Sequence, residues 1–260
     1  MNLSTPNKHV FTVALDHIPL GVMEGWENVN QTLKVIVDGE PDYIVLNFGI
    51  LKLYRDLIKE KTKAILRLDG SPSYLVEDWL KASRYDLLYT VDDAIRVGAS
   101  AVIINLLVGG SVEMETIITA SKLAGACLER NLPLIISAVP SAQIKDYSEF
   151  EVHNFAIRLA AEIGADVVNT YFTGNFQDLK HFVSVCPAPV LLAGGGFKTD
   201  EDTIRRANLA IDAGCAGICF GRSVWQSKSP QAVMASLKSI LHDSSNIKDA
   251  LKLLSEKQIN

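Results

Sequence analysis

The sequence predicts an α/β protein built as a single (β/α)8 TIM barrel, on three observations. Eight short apolar runs alternate with spans of helical periodicity. The runs are continuously apolar, not alternating, as parallel strands covered on both faces should be. A step from a helix-closing glycine into a strand also recurs, at Gly98-Ala99-Ser100-Ala101-Val102, Gly164-Ala165-Asp166-Val167-Val168 and Gly214-Cys215-Ala216-Gly217-Ile218. Repetition of one βα unit is what a barrel requires. The alternative, a doubly wound open sheet, is disfavoured because no Gly-x-Gly-x-x-Gly follows the first strand.

Taken in order, the first strand is Phe11–Leu15, stopped by Asp16-His17, and Glu24–Val37 reads as the first helix, closed by Asp38-Gly39. Tyr43–Leu46 is the second strand and Ile50–Lys59 a helix; Ala64–Leu68 is the third strand, ending at Asp69-Gly70-Ser71-Pro72. The less regular stretch Ser73–Thr90 is expected to fold over the mouth or an edge of the barrel, and Val91–Val97 to form a short helix. Strand four is Ala101–Asn105, followed by helix Glu113–Arg130; strand five is Pro133–Ser137, followed by helix Glu149–Ile163. Strand six is Asp166–Asn169, opening into a loop through Gly174, with a helix over Asp178–Val185. Strand seven is Pro189–Ala193 with helix Asp200–Ala213, and strand eight is Gly217–Phe220 with helix Pro230–His242. No linker-like stretch divides the chain, so residues 1–260 form one domain: a tail over 1–9, the barrel over 10–242, and an extra C-terminal helix within 243–260, at Lys248–Lys257.

Composition narrows the function. With 260 residues, 48% of them hydrophobic, the chain can bury a large core. A net charge of -5 and the lack of any Lys/Arg run argue against a nucleic-acid surface. The N-terminus has no apolar h-region and no run approaches membrane-spanning length, so a cytoplasmic protein without a membrane partner is expected. Cys127, Cys186, Cys215 and Cys219 form no Cys-x-x-Cys pair and read as reduced thiols. No histidine cluster converges on His17, so neither a metal nor a cofactor is expected.

In a barrel of this kind the site lies at the carboxyl ends of the strands. The residues there are Asp16 and His17, Asn47, Asp69, Asn105, Ser137, Asn169, Gly194-Gly195-Gly196, and Gly221-Arg222. The glycines of loops seven and eight let backbone amides approach an anion, and Arg222 adds a guanidinium; together they read as a phosphate site. Lys198, just past the seventh-strand glycines, could add a further cation. Asp16 is placed to act as general acid or base or to hold a hydroxyl, and His17 to titrate near neutrality. The competing structural readings are that Asp16 caps the next helix and His17 fills a polar niche.

The set Ala14-Leu15-Asp16-His17, Pro41 to Ile50, Gly164 to Gly174, Ala193-Gly194-Gly195 and Gly221 to Gln226 resembles the DeoC/LacD-type class I aldolases, nearest the branch of archaeal-type fructose-bisphosphate aldolases and the autoinducer-2 thiolase, over about residues 10 to 240. The resemblance implies a phosphorylated sugar or keto substrate, carbon–carbon bond chemistry and a homo-oligomer. It also implies a lysine at the tip of strand six that forms a Schiff base with the substrate; Asn169 stands at that position, and an amide cannot form an imine. The archaeal aldolases' acid/base tyrosine after strand five corresponds to Val139, and the thiolase branch lacks that tyrosine as well. Asp16, the glycine loops and Arg222 match. Four readings follow: an aldolase-type reaction without the lysine imine, with Asn169 hydrogen-bonding the reacting oxygen; an isomerase or epimerase on the same scaffold; an inactive phosphosugar-binding homologue; or a lysine-to-asparagine variant of an ordinary class I aldolase.

Overall fold

The computed structural model describes Leu3 and residues 9–76, 85–140, 147–196 and 198–259. Eight parallel strands close into a barrel: β1 (Val10–Ala14), β2 (Tyr43–Leu46), β3 (Lys63–Arg67), β6 (Ala101–Val108), β7 (Leu134–Pro140), β8 (Val167–Thr170), β9 (Val190–Ala193) and β10 (Gly217–Phe220). Two short strands, β4 (Asp69–Gly70) and β5 (Asp86–Leu87), form an antiparallel pair just past β3. The helices are α1 (Val29–Asp38), α2 (Phe48–Ile58), α3 (Val91–Arg96), α4 (Glu113–Arg130), α5 (Glu149–Ile163), α6 (Phe176–Val185), α7 (Asp200–Asp212), the single turn α8 (Arg222–Trp225) and α9 (Pro230–Leu241), with α10 (Ile247–Ile259) laid against α7 and α9. The alternation and closure are those of a single (β/α)8 barrel. Among the described residues no helix is long and apolar enough to cross a membrane.

The strands bury both faces, and the faces belong to two separate cores. Phe11, Val13, Ile44, Leu46, Leu66 and Ile104 point out to the helices, whereas Tyr43, Val45, Ile65, Ile103, Ile135 and Leu191 fill the barrel. Side chains alternate along a strand with a period of two. The next inward position after each barrel-core residue is therefore fixed by counting: Val45 is followed by Asn47, Ile65 by Arg67, Ile103 by Asn105, Ile135 by Ser137 and Val167 by Asn169. The same count on β1 runs from Ala14 to Asp16. One ring of apolar side chains is thus overlaid by a ring of polar ones.

Three of the boundaries that differ from the sequence expectation bear on the site. Helix α1 starts at Val29 and not at Glu24, because Asn28 caps it, accepting from the Gln31 amide at 3.1 Å, while Gly25 sits at φ +82 in a turn against Trp225. Strands β6 and β7 run three residues past Asn105 and Ser137, to Val108 and Pro140, with Asn105 paired to Ser137 and Leu107 to Val139. The apolar continuation Leu106-Leu107-Val108 keeps the ladder going, so these two polar residues are inward positions within strands and not strand ends. Of the stretch expected to cover the mouth, residues 77–84 lie outside the described residues; of its flanks, the Tyr74 amide bonds the Pro19 carbonyl at 2.9 Å and β5 pairs with β4.

Candidate active site

The polar ring gathers most of the predicted residues at one mouth. Asp16 follows β1 and is 8% exposed. It does not cap a helix: its carboxylate is hydrogen-bonded by Arg67 Nε, from β3. Arg67 turns its Nη1 to Asp69 Oδ1 at 2.8 Å, and Asp69 Oδ2 accepts the Asn105 backbone N–H at 2.6 Å. The Asn105 amide in turn donates to the Tyr85 hydroxyl. A charged hydrogen-bonded chain therefore runs across the tips of β1, β3 and β6.

Burial works to raise the Asp16 carboxyl, but the charges of Arg67 and His17 outweigh it and hold the group below the ordinary carboxylate value. Asp69 goes the other way: burial raises it, and Arg67 and the Asn105 amide only partly offset this.

His17 sits between the two halves of the mouth. Its Nδ1 is 3.9 Å from Asp16 Oδ1, beyond hydrogen-bond reach, and its ring meets Trp225 edge-on at 5.8 Å. Burial lowers its pKa; Asp16 opposes this, while Arg222 and Arg67 reinforce it. His17 is therefore a neutral imidazole at pH 7. The unfolded chain takes up a proton at His17 near the ordinary value of 6.5 and the native state does so only at lower pH. Stability contributed by this residue is full above that value and falls as the pH drops through it. Chemical denaturation at pH 7 and pH 5.5 should show a smaller loss for His17→Gln than for the native chain.

Loops seven and eight meet at a second cluster. A Cβ on Gly221 would lie 2.8 Å from the Ala14 carbonyl and 2.9 Å from His17 Cε1, so only glycine lets this loop close on β1. Trp225 Nε1 bonds the same carbonyl at 3.0 Å. A Cβ on Gly194 would lie 3.0 Å from Ser223 Oγ, and Gly195 takes φ +68, in the left-handed region. Arg222 is half-buried, and its Nε and Ser223 Oγ are buried without a hydrogen-bond partner. Lys198 is exposed and lines a small crevice with Asp202, Thr203 and Arg206, and Arg206 donates to the Gly194 carbonyl. The second cation touching the glycine loop is thus Arg206, from the middle of α7.

Between the clusters lies Asn169, 5% exposed, whose Nδ2 bonds Ser137 Oγ at 3.1 Å across the β7–β8 pairing; its Oδ1 is buried without a partner. Tyr171 is the next inward position. It is 39% exposed as a residue, and burial raises its phenol above the ordinary value. Among the described residues no three His, Cys, Asp or Glu side chains gather into a metal-binding set. His153 is a core residue stacked on Phe182, its Nδ1 2.9 Å from the Glu149 carbonyl.

Two residues that build this site, Arg67 and Arg206, carried no motif. Arg67 had one available signal: it is the single charge inside the run Ala64-Ile65-Leu66-Arg67-Leu68, in phase with the inward Ile65. Arg206 had none, since an arginine on an amphipathic helix reads as solvated surface.

A closed parallel barrel with its buried polar groups collected at the carboxyl ends of the strands is a TIM barrel, and that mouth is its candidate site. The chain belongs to the DeoC/LacD family of aldolases, which it matches over residues 8–227. It is 30% identical over 257 residues to an uncharacterized aldolase of Saccharolobus solfataricus, covering 93% of each chain. It is 28% identical to a 3-hydroxy-5-phosphonooxypentane-2,4-dione thiolase of Shigella flexneri, covering 92% of this chain and 90% of that one. Among solved structures it is similar to a Schiff-base-forming fructose-1,6-bisphosphate aldolase, with a TM-score of 0.80 and 25% identity over 90% of this chain and 95% of that one.

Proposed function

We propose that this protein is a lyase that cleaves or forms a carbon–carbon bond next to the carbonyl of a phosphorylated keto substrate, and that it does so without a lysine imine. The observation that carries the reading is Asn169, the inward residue at the tip of β8, held by Ser137 where the family resemblance requires the imine-forming lysine. The phosphorylated substrate is supported by the glycines of loops seven and eight, by Arg222 and Ser223 with unpartnered polar atoms, and by the phosphonooxy compound in the name of the thiolase relative.

In the cleavage direction, Asp16 takes the proton of the hydroxyl β to the carbonyl. The bond between the α and β carbons breaks, its electron pair forms the enolate, and the β carbon leaves as an aldehyde. With no iminium to draw the electrons, hydrogen bonds must stabilise the enolate oxygen. Asn169 is suited to this. The Ser137 hydroxyl can donate as well as accept, so half a turn of the Asn169 amide keeps the pair and aims its NH2 into the mouth. The phenol of Tyr171 stands one inward position further out. The proton taken up by Asp16 is the one returned to the enolate carbon, which restores the carboxylate; the neutral His17 imidazole, beside Asp16 and Arg222, can carry it by accepting it at one nitrogen and releasing it.

Incubation with a panel of ketose phosphates, followed by NMR of the products, tests the reading. A three-carbon fragment and an aldehyde are expected. Isomerised ketose phosphates with no fragments would assign proton transfer alone, and binding without any conversion would make the chain a phosphosugar-binding member of the family.

A further inference from the structure

We infer that Arg67 and Asp69 are positioning residues for proton transfer at Asp16, forming a clamp that leaves one carboxylate oxygen available to substrate. The inference rests on Asp16 being the proton-transfer group. Three strands contribute. Arg67 is the last residue of β3, paired with Ile103 of β6, and is 13% exposed. Its planar fork is used on two edges: Nε takes Asp16 Oδ2, and Nη1 takes Asp69 Oδ1. Asp69, 3% exposed, is itself fixed by a main-chain donor, the Asn105 amide, so its position is set by the barrel and not by a side-chain rotamer.

The geometry follows from that anchoring. A lone Arg–Asp pair leaves the guanidinium free to grip both carboxylate oxygens. Here the second carboxylate occupies the other edge, and Asp16 is gripped by one oxygen alone. Its Oδ1 lies 3.9 Å from the neutral His17 imidazole, and the main-chain N–H of Asp16 also acts on the carboxylate. The guanidinium holds one oxygen and not the other, which is what a base of defined direction needs.

The second consequence is electrostatic. A phosphorylated substrate brings negative charge into the mouth that holds the carboxylate, and two anions close together favour protonation of the carboxylate. The buried guanidinium offsets this on the Asp16 side, as Arg222 does on the phosphate side. Lysine in its place would supply charge without the two-edged fork.

The test uses the full-length protein labelled with carboxyl-13C aspartate, the Asp16 signal being assigned by its loss in Asp16→Asn. Arg67→Gln keeps a donor and removes the charge; the proton affinity of Asp16 should rise about tenfold or more. Arg67→Lys keeps the charge and guards against a neutral variant that fails to fold; Asp16 should then titrate close to its native pH. With a substrate that is turned over, kcat of Arg67→Lys should fall about tenfold or more at little-changed KM. An Asp16 signal that titrates at its native pH in folded Arg67→Gln, or full native kcat in Arg67→Lys, would overturn the inference and leave Arg67 a structural ion pair. The carboxyl titration needs no substrate, so failure to find a cleaved ketose phosphate counts against the lyase reading alone.

Discussion

Asn169→Lys is expected to lower turnover of a cleaved ketose phosphate by roughly 10²–10³-fold, the scale on which one preorganised donor to a developing oxyanion acts. The substituted residue is 5% exposed and bonded to Ser137. A lysine there loses the amide that the enolate oxygen requires. Its amine enters a mouth already holding Arg67 and Arg222, and burial together with those cations pushes it towards the neutral form. It becomes able to form an imine, but Val139, paired with Leu107 inside β7, is the residue that the family resemblance matches to the archaeal aldolases' acid/base tyrosine. Imine formation would then proceed without that partner. Steady-state kinetics on the parent and the variant decide the matter. A gain of cleavage in the variant, from a parent that has none, would make the chain a disabled class I aldolase, and Asn169 the reason.

Asp16→Asn should act on kcat, by roughly 10²–10⁴-fold, the range of a general acid or base. The substitution is nearly isosteric and leaves Arg67 paired with Asp69, so the fold should survive it. Native Asp16 is held below the ordinary carboxylate value, its charge favoured by the Arg67 guanidinium against the effect of burial. It therefore stays ionised throughout the neutral range, and the pH dependence of the parent above pH 5 should not report its titration. Arg222→Met provides the contrast. It removes a guanidinium from the proposed phosphate loops and should raise KM more than it lowers kcat. If Asp16→Asn changed KM alone, Asp16 would be holding a substrate hydroxyl and moving no proton.

The fold was legible because continuous apolar runs, separated by helices and entered through glycine steps, admit few arrangements. The location of the site was legible for the same reason: polar residues at the ends of such runs must face the mouth. Asn105 and Ser137 show where that reading fails. Both looked like strand ends, yet both lie within longer strands, because an inward polar residue interrupts an apolar run without ending the ladder. Arg67 shows the converse. It falls within the expected strand Ala64–Leu68 with no role assigned, although the period of two already puts it inside the barrel. Its pairing with Asp16, 51 residues away, is a product of closure and of the strand order β1, β2, β3, β6. The Arg206 contact depends on how α7 lies against loop seven, which no local pattern records.

The central claim is that the chemistry at this mouth passes through no covalent imine. It is tested most directly by treating the native chain with borohydride while it turns over a ketose phosphate, and measuring the intact mass. An unchanged mass and undiminished activity after the substrate is removed are expected. A mass increase equal to the reduced substrate adduct, mapped to any lysine of the chain, would contradict it.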